Sequence, residues 1–224
     1  MDKHFLAPLF SPNSIVVFAG KADDPDSQTL QSRALHQALR AQRFAGTLAF
    51  LDIHASGTLA ELAHAQADLA VIALPTAEVA AALEIAARIK CRAALVISSG
   101  IEAAQAAEWH KIARRDGMHL LGPNCLGFQR PQLQLNASVA GALCAPGSLA
   151  LVSQSGALTA SILDWAQQNG VGFSTVVSLG PHTDVDMAQV LDFLAADAQT
   201  HSIVVYLEGA LEIKLPAGFA AAGQ

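Results

Sequence analysis

Short apolar runs rich in valine, isoleucine and leucine alternate with helical segments along this chain, and that alternation leaves few folds open. "SIVVFAG" (14–20) is a β-branched run ending in glycine, and a helical segment follows from about Ser27 to Gln42. "GTLAFLD" (46–52), "DLAVIALP" (68–75), "AALVISSG" (93–100) and "MHLLGPN" (118–124) read as four further strands. Between them lie the helix patterns "AEVAAALEIAARIK" and "EAAQAAEWHKIARRDG"; Thr76 is placed to cap the first. Short apolar strands alternating with helices predict a parallel sheet covered on both faces.

The stretch "APGS" (145–148) punctuates the chain, and a second series begins. Its strands are "LALVSQ", "FSTVVSLG" (173–180) and "SIVVYLEG" (202–209), with helices predicted at 156–168 and 186–197. The predicted division is a complete unit over residues 1–145 and a partial one over 146–224. Three strands are fewer than the five of a flavodoxin-like sheet. A partly bare sheet face is therefore expected, covered by a partner chain, a further domain or another copy of the chain.

Composition narrows the function classes. Of 224 residues, 52% are hydrophobic and 14% charged, yet no apolar stretch approaches the roughly 20 residues that span a bilayer. With no legible signal peptide, a soluble cytoplasmic protein is expected. A net charge of −6 without a basic stripe argues against nucleic acid and anionic membrane partners. Three cysteines without C-x-x-C spacing argue against a disulfide framework or a zinc site, and Cys91 and Cys144 read as buried thiols. Eight histidines show no metal-binding spacing.

Ligands in open parallel sheets sit at the carboxyl ends of the strands, and here those ends are rich in Gly, Ser, Pro and Asn. Such loops hold phosphates with backbone N–H groups at helix N-termini. "FAGKADDPDS" keeps only Gly20 of a G-x-G-x-x-G fingerprint, so a nicotinamide-cofactor dehydrogenase, with Asp52 on a ribose, is a weak reading. "LLGPNCLG" (120–127) is a tight turn that sets Asn124 and Cys125 at a strand end. "SQSGAL" (153–158) lacks the G-x-S-x-G spacing of a serine nucleophile and reads as a helix cap with room for an anion. Glu208 closes an apolar strand in "VVYLEG", as a solvated carboxylate or as part of a site.

Together these segments resemble the CoA-binding α-type region of the NDP-forming acyl-CoA synthetases, relatives of succinyl-CoA synthetase. The nearest likeness within that group is to the N-terminal part of bacterial protein lysine acetyltransferases. The resemblance runs from about Leu9 to Gly209 and is densest over "LLGPNCLGF", "LNAS" and "GSLALVSQSGALTASILDWAQQNGVGFSTVVSLG". It implies a Rossmann-like CoA-binding unit followed by a flavodoxin-like unit, with CoA or acetyl-CoA as the ligand. Gly20, Pro75, Thr76, Ser98, Ser99 and Gly100 would line the CoA site, and Asn124 and Cys125 would stand near its thioester end. Ser153, Gln154, Ser155, Gly156 and Ala157 would form a phosphate cradle, and Glu208 would orient a phosphohistidine. No catalytic residue and no metal is assigned to the chain itself.

Two functions are implied: a regulatory CoA-binding region of an acetyltransferase, or the α-type fragment of an acyl-CoA synthetase. Either needs further parts, an ATP-grasp or an acetyltransferase domain, because nothing after Gly209 matches the phosphohistidine segment. Two departures bear on the ligand. The usual first loop, G-A-S-x-x-P-x-S-x-G, is here "GKADDPDSQT", and the usual Asn after "SLG" is Pro181. Asp23, Asp24 and Asp26 would repel CoA phosphates. Weak CoA binding is therefore expected, tightening in an Asp23→Ser, Asp24→Ser variant; calorimetry finding the reverse order would refute the repulsion.

Overall fold

The structure is a computed structural model that describes residues 4–20, 28–54, 66–181 and 183–208. Strands β1 (Ser14–Phe18), β2 (Thr47–Phe50), β3 (Leu69–Ile72), β4 (Ala93–Val96) and β5 (His119–Leu121) form a sheet in the order β2-β1-β3-β4-β5. Every pairing in it is parallel. This order, 2-1-3-4-5, is a doubly wound one of the flavodoxin-like kind, and the strand order reverses between β1 and β3. Helices α1 (Ala7–Phe10), α2 (Leu30–Arg40), α3 (Thr76–Arg88) and α4 (Ala103–Arg115) accompany the sheet.

Side-chain alternation along the strands shows why both faces are apolar. Ile15 and Val17 of β1 join one buried cluster with Leu35 and Leu39 of α2. Val16 and Phe18 point the other way, into a second cluster with Val79 and Leu83 of α3 and Trp109 of α4. The helices start where local chemistry stops the strands. The Thr29 hydroxyl accepts from Ser32 N–H at 3.1 Å to cap α2, and Glu102 with Gln105 forms a capping box on α4. Thr76 does not cap α3 as expected: Pro75 holds the cap position and Thr76 is the first helical residue. Proline's fixed φ suits a helix start, and no side chain bonds the terminus.

The second sheet runs β10-β8-β9-β6-β7, from β6 (Gly127–Arg130), β7 (Leu135–Ser138), β8 (Pro146–Ser153), β9 (Phe173–Ser178) and β10 (Ser202–Tyr206). The three strands read from sequence are parallel, but β6 and β7 form a hairpin whose β6 strand pairs antiparallel with β9. The sheet thus has five strands where three were expected. Two of them come from residues that precede the "APGS" punctuation. Helices α5 (Gly156–Asn169) and α6 (Met187–Ala196) cover its faces, α5 ending at Gly170 in a left-handed conformation (φ 67).

One apolar cluster joins the two sheets, running from Leu6 and Phe10 through Val71 and Leu95 to Phe128, Val152, Val177 and Leu191. Polar pairs reinforce the seam: Arg114 of α4 reaches Asp184 ahead of α6, and His4 Nε2 lies 3.0 Å from Asp192 Oδ2. Among the described residues nothing covers the far edge. Val204, Val205, Tyr206 and Leu207 are all exposed on or beside β10, the outermost strand. Among the described residues no helix is long and apolar enough to cross a membrane.

Arg130 and Asp197 make the most buried ion pair described, at 3.1 Å with 5% and 11% of their side chains exposed. The Arg130 guanidinium also lies over the Phe193 ring. Removing one partner strands the other charge, so Arg130→Met is expected to lower unfolding free energy by about 3–5 kcal/mol. Arg130→Met with Asp197→Leu should recover most of that loss; urea denaturation of the three proteins checks it.

Candidate functional site

The carboxyl ends of both sheets open onto one cleft of about 440 Å³. From the first sheet it takes Ile97, Ser99, Asn124 and Cys125, with Gln31 from α2. From the second it takes Gln154, Gly156, Ser178, Leu179, Pro181 and Glu208, with Leu126 between the two. The approach of the two sheet ends depends on small residues. A Cβ at Gly180 would overlap the Pro123 carbonyl oxygen, and one at Gly122 the Val96 carbonyl oxygen. Gly122 also sits at φ 88, beside a cis Gly122–Pro123 bond, and Asn124 follows at φ 57.

The residues assigned to CoA divide into those that face the cleft and those that serve the fold. Ser99 and Asn124 are exposed at its mouth. Gly100, exposed at φ 75, and Pro75 and Thr76 at the start of α3 lie on the same carboxyl side of the sheet. Gly20 ends the described part of its loop at φ 69, and its carbonyl faces His36 Nε2 at 3.4 Å. Asp23, Asp24 and Asp26 lie outside the described residues.

Ser98 is different. It is 2% exposed, and its hydroxyl donates to Leu74 O at 2.6 Å while accepting from Leu74 N–H at 3.2 Å. The hydroxyl therefore ties the ends of β3 and β4 together. Its carbonyl accepts from Asn124 N–H at 3.0 Å, so Ser98 supports the Asn124 turn instead of offering a hydroxyl to a ligand.

At the second sheet, Ser153 is fully buried and its hydroxyl folds the turn, accepting from Ser155 N–H at 3.0 Å. Ser155 caps α5 by accepting from Leu158 N–H at 3.4 Å. Within the expected phosphate cradle, the Ser155 N–H is thus already paired. The N–H groups of Gly156 and Ala157, in the first turn of α5, have no partner among the described residues. Gly156 faces the cleft, and Glu208 opens onto the same space from the end of β10.

Sequence reasoning missed Gln31 and undervalued Gln154. Gln31 Nε2 donates to Ser99 Oγ at 2.7 Å across the mouth. Gln154 Oε1 accepts from Glu208 N–H at 2.9 Å. Neither amide has a sequence signal, because glutamine on a helix or loop is ordinarily a solvated residue.

Residues 48–131 match the CoA binding domain family, and residues 146–222 match the family described as succinyl-CoA ligase like flavodoxin domain. A fold that joins these two units at one cleft defines a CoA-handling α/β protein. Over 148 residues the chain is 40% identical to acetate–CoA ligase [ADP-forming] I of Archaeoglobus fulgidus, covering 63% of this chain and 22% of the relative. It is 37% identical over 150 residues to the alpha subunit of acetate–CoA ligase [ADP-forming] I of Pyrococcus furiosus, covering 64% and 32%. Among solved structures, a dinucleotide forming acetyl-coenzyme A synthetase 1 from Ca. Korarchaeum cryptofilum, with phosphate and ADP, matches at TM-score 0.81 and 27% identity. That match covers 92% of this chain and 46% of the other. The chain thus carries a CoA binding domain and a succinyl-CoA ligase like flavodoxin domain, and it resembles the α-type region of the ADP-forming acetate–CoA ligases. It spans only 22% and 32% of the length of these two curated relatives. All of these relatives are ligases or synthetases, which favours the synthetase reading over the acetyltransferase one.

The cleft thiol is held inert. Cys125 is 5% exposed with Sγ 3.5 Å from Val96 O, and burial pushes its pKa up to about 12. Burial likewise pushes Cys91 and the half-buried Cys144 up to about 12. The folded chain keeps these protons while the unfolded chain releases them from about pH 8.5, so stability falls as pH rises from there towards 12. Urea midpoints should drop between about pH 7.5 and about pH 10, and drop less in a Cys91→Ala, Cys125→Ala, Cys144→Ala variant. Equal drops would show that the thiols ionise as readily in the fold as in the unfolded chain.

Proposed function

We propose that this chain is the CoA- and phosphate-handling part of an acyl-CoA ligase that forms a nucleoside diphosphate, acting with an ATP-grasp domain or partner chain. The observation that carries this reading is the single cleft shared by the Ser99–Asn124 loops of one sheet and the Gly156–Glu208 ends of the other. CoA lies over the carboxyl ends of the first sheet, by Gly20, Pro75, Thr76, Ser99 and Gly100. Its thiol end enters the cleft beside Asn124 and the neutral Cys125. A phosphoryl group rests on the N–H groups of Gly156 and Ala157, where the α5 dipole favours negative charge by about 0.3–1 kcal/mol. Glu208 orients the imidazole of a phosphorylatable histidine supplied from elsewhere in the protein.

The match of residues 48–131 to a CoA binding domain favours this over a nicotinamide-dependent dehydrogenase. The ligand need not be acetyl-CoA, since the relatives' names include 4-hydroxybutyrate and succinate ligases.

Calorimetry on the full chain tests both halves of the site. CoA should bind saturably, and Ser99→Glu, a carboxylate at the exposed mouth, should weaken it by about tenfold or more. Inorganic phosphate should bind independently of CoA. Ser155→Ala leaves the N–H groups in place and should cost about two- to fivefold in phosphate affinity. Gly156→Val should cost about tenfold or more, because its Cβ already meets Leu126 Cγ at 3.2 Å and the branch crowds the turn. A chain that binds neither ligand, or variants that bind like the parent, would overturn the proposal.

A further inference from the structure

Gln154 grips the strand that carries Glu208 at two points. Its backbone N–H donates to the Tyr206 carbonyl at 3.1 Å. Its side-chain Oε1 accepts from Glu208 N–H at 2.9 Å, the one hydrogen bond that Glu208 makes among the described residues. Among the described residues little else holds this strand end. β10 is an edge strand, and Val204, Val205, Tyr206 and Leu207 are all exposed beside it. A segment with so few buried contacts opens locally at low cost.

We infer that Gln154 is the positioning residue of this cleft: it fastens the Glu208 main chain to the turn before α5, in the amide orientation that presents its NH2 group to an anion. The inference rests on the phosphate reading above. The orientation follows from the partner. Glu208 N–H can only donate, so the atom facing it is the amide oxygen, and Nε2 is the end left over. Gln154 lines the same cleft as Gly156 and Glu208, so that donor joins the two N–H groups of the α5 terminus. A glutamate at this position would still accept from Glu208 N–H, but it would bring a second carboxylate beside Glu208 and repel the anion. A methionine would keep the volume and supply neither acceptor nor donor.

Two measurements on the full chain separate the two tasks: backbone amide exchange at Glu208 by NMR, and inorganic phosphate binding by calorimetry. In Gln154→Glu, exchange at Glu208 should stay within about twofold of the parent while phosphate affinity falls about tenfold or more. In Gln154→Met, exchange should quicken about tenfold, with a smaller loss of phosphate affinity. Protection that survives in Gln154→Met overturns the clamp, and unchanged phosphate affinity in Gln154→Glu overturns the donor. Both variants should unfold within about 2 °C of the parent, since exposed and half-buried polar changes of this kind cost little. A larger, equal fall in both would reduce Gln154 to a structural role and refute the inference. A parent that binds no phosphate would sink the phosphate reading and the donor with it, while the exchange comparison would still decide the clamp.

Discussion

The two sheets can share one cleft only because their backbones touch where side chains would ordinarily keep them apart. Gly180, just after β9, lies so near the Pro123 carbonyl that no Cβ fits between them. The Gly122–Asn124 turn it meets is itself pressed against the end of β4. Behind this contact the common apolar cluster, from Phe10 to Phe128 and Leu191, gives the two units a single interior. Burial of that cluster supplies the driving force and the glycines set the spacing; neither would produce the cleft alone.

Around the cleft, the polar groups fall into two layers. The deeper one is spent on architecture: the hydroxyls of Ser98 and Ser153, both at most 2% exposed, bind main-chain groups and hold their loops in shape. The outer one, Ser99, Asn124 and the first N–H groups of α5, is left to meet a ligand. Small uncharged donors held by a rigid inner layer suit a ligand whose own phosphates bring the charge, since they pay no large desolvation penalty when empty. The inert state of Cys125 is compatible with the proposed site, where a reactive thiolate near a thioester would compete with CoA for the acyl group.

Most of the first sheet was legible because its strands are buried on both faces, and burial writes itself as unbroken runs such as "SIVVF" and "LAVI". The β6–β7 hairpin was not. Its sequence, "GFQRPQLQLNAS", interleaves Gln129, Arg130 and Asn136 with apolar residues and reads as a loop. Those polar side chains are in fact buried, Gln129 and Asn136 bonding to the carbonyls of Ala142 and Gly141, Arg130 to Asp197. Nothing local announces partners that arrive from elsewhere. The same limit applies to the site. The small-residue loops at strand ends were readable from composition and resemblance, and the structure brings Ser99, Asn124, Gly156 and Glu208 together. Which hydroxyl is free and which is consumed depends on geometry, so Ser98 and Ser155 N–H looked more available than they are.

The path of residues 127–138 carries an evolutionary consequence. They leave the first sheet at β5, build two strands of the second, and only then does the chain enter β8. A recombination event between residues 145 and 146 would leave a hairpin stranded on one product and strip two strands from the other. The two units are therefore interlocked through residues 127–145, and a cut that leaves both sheets whole has to fall ahead of Gly127.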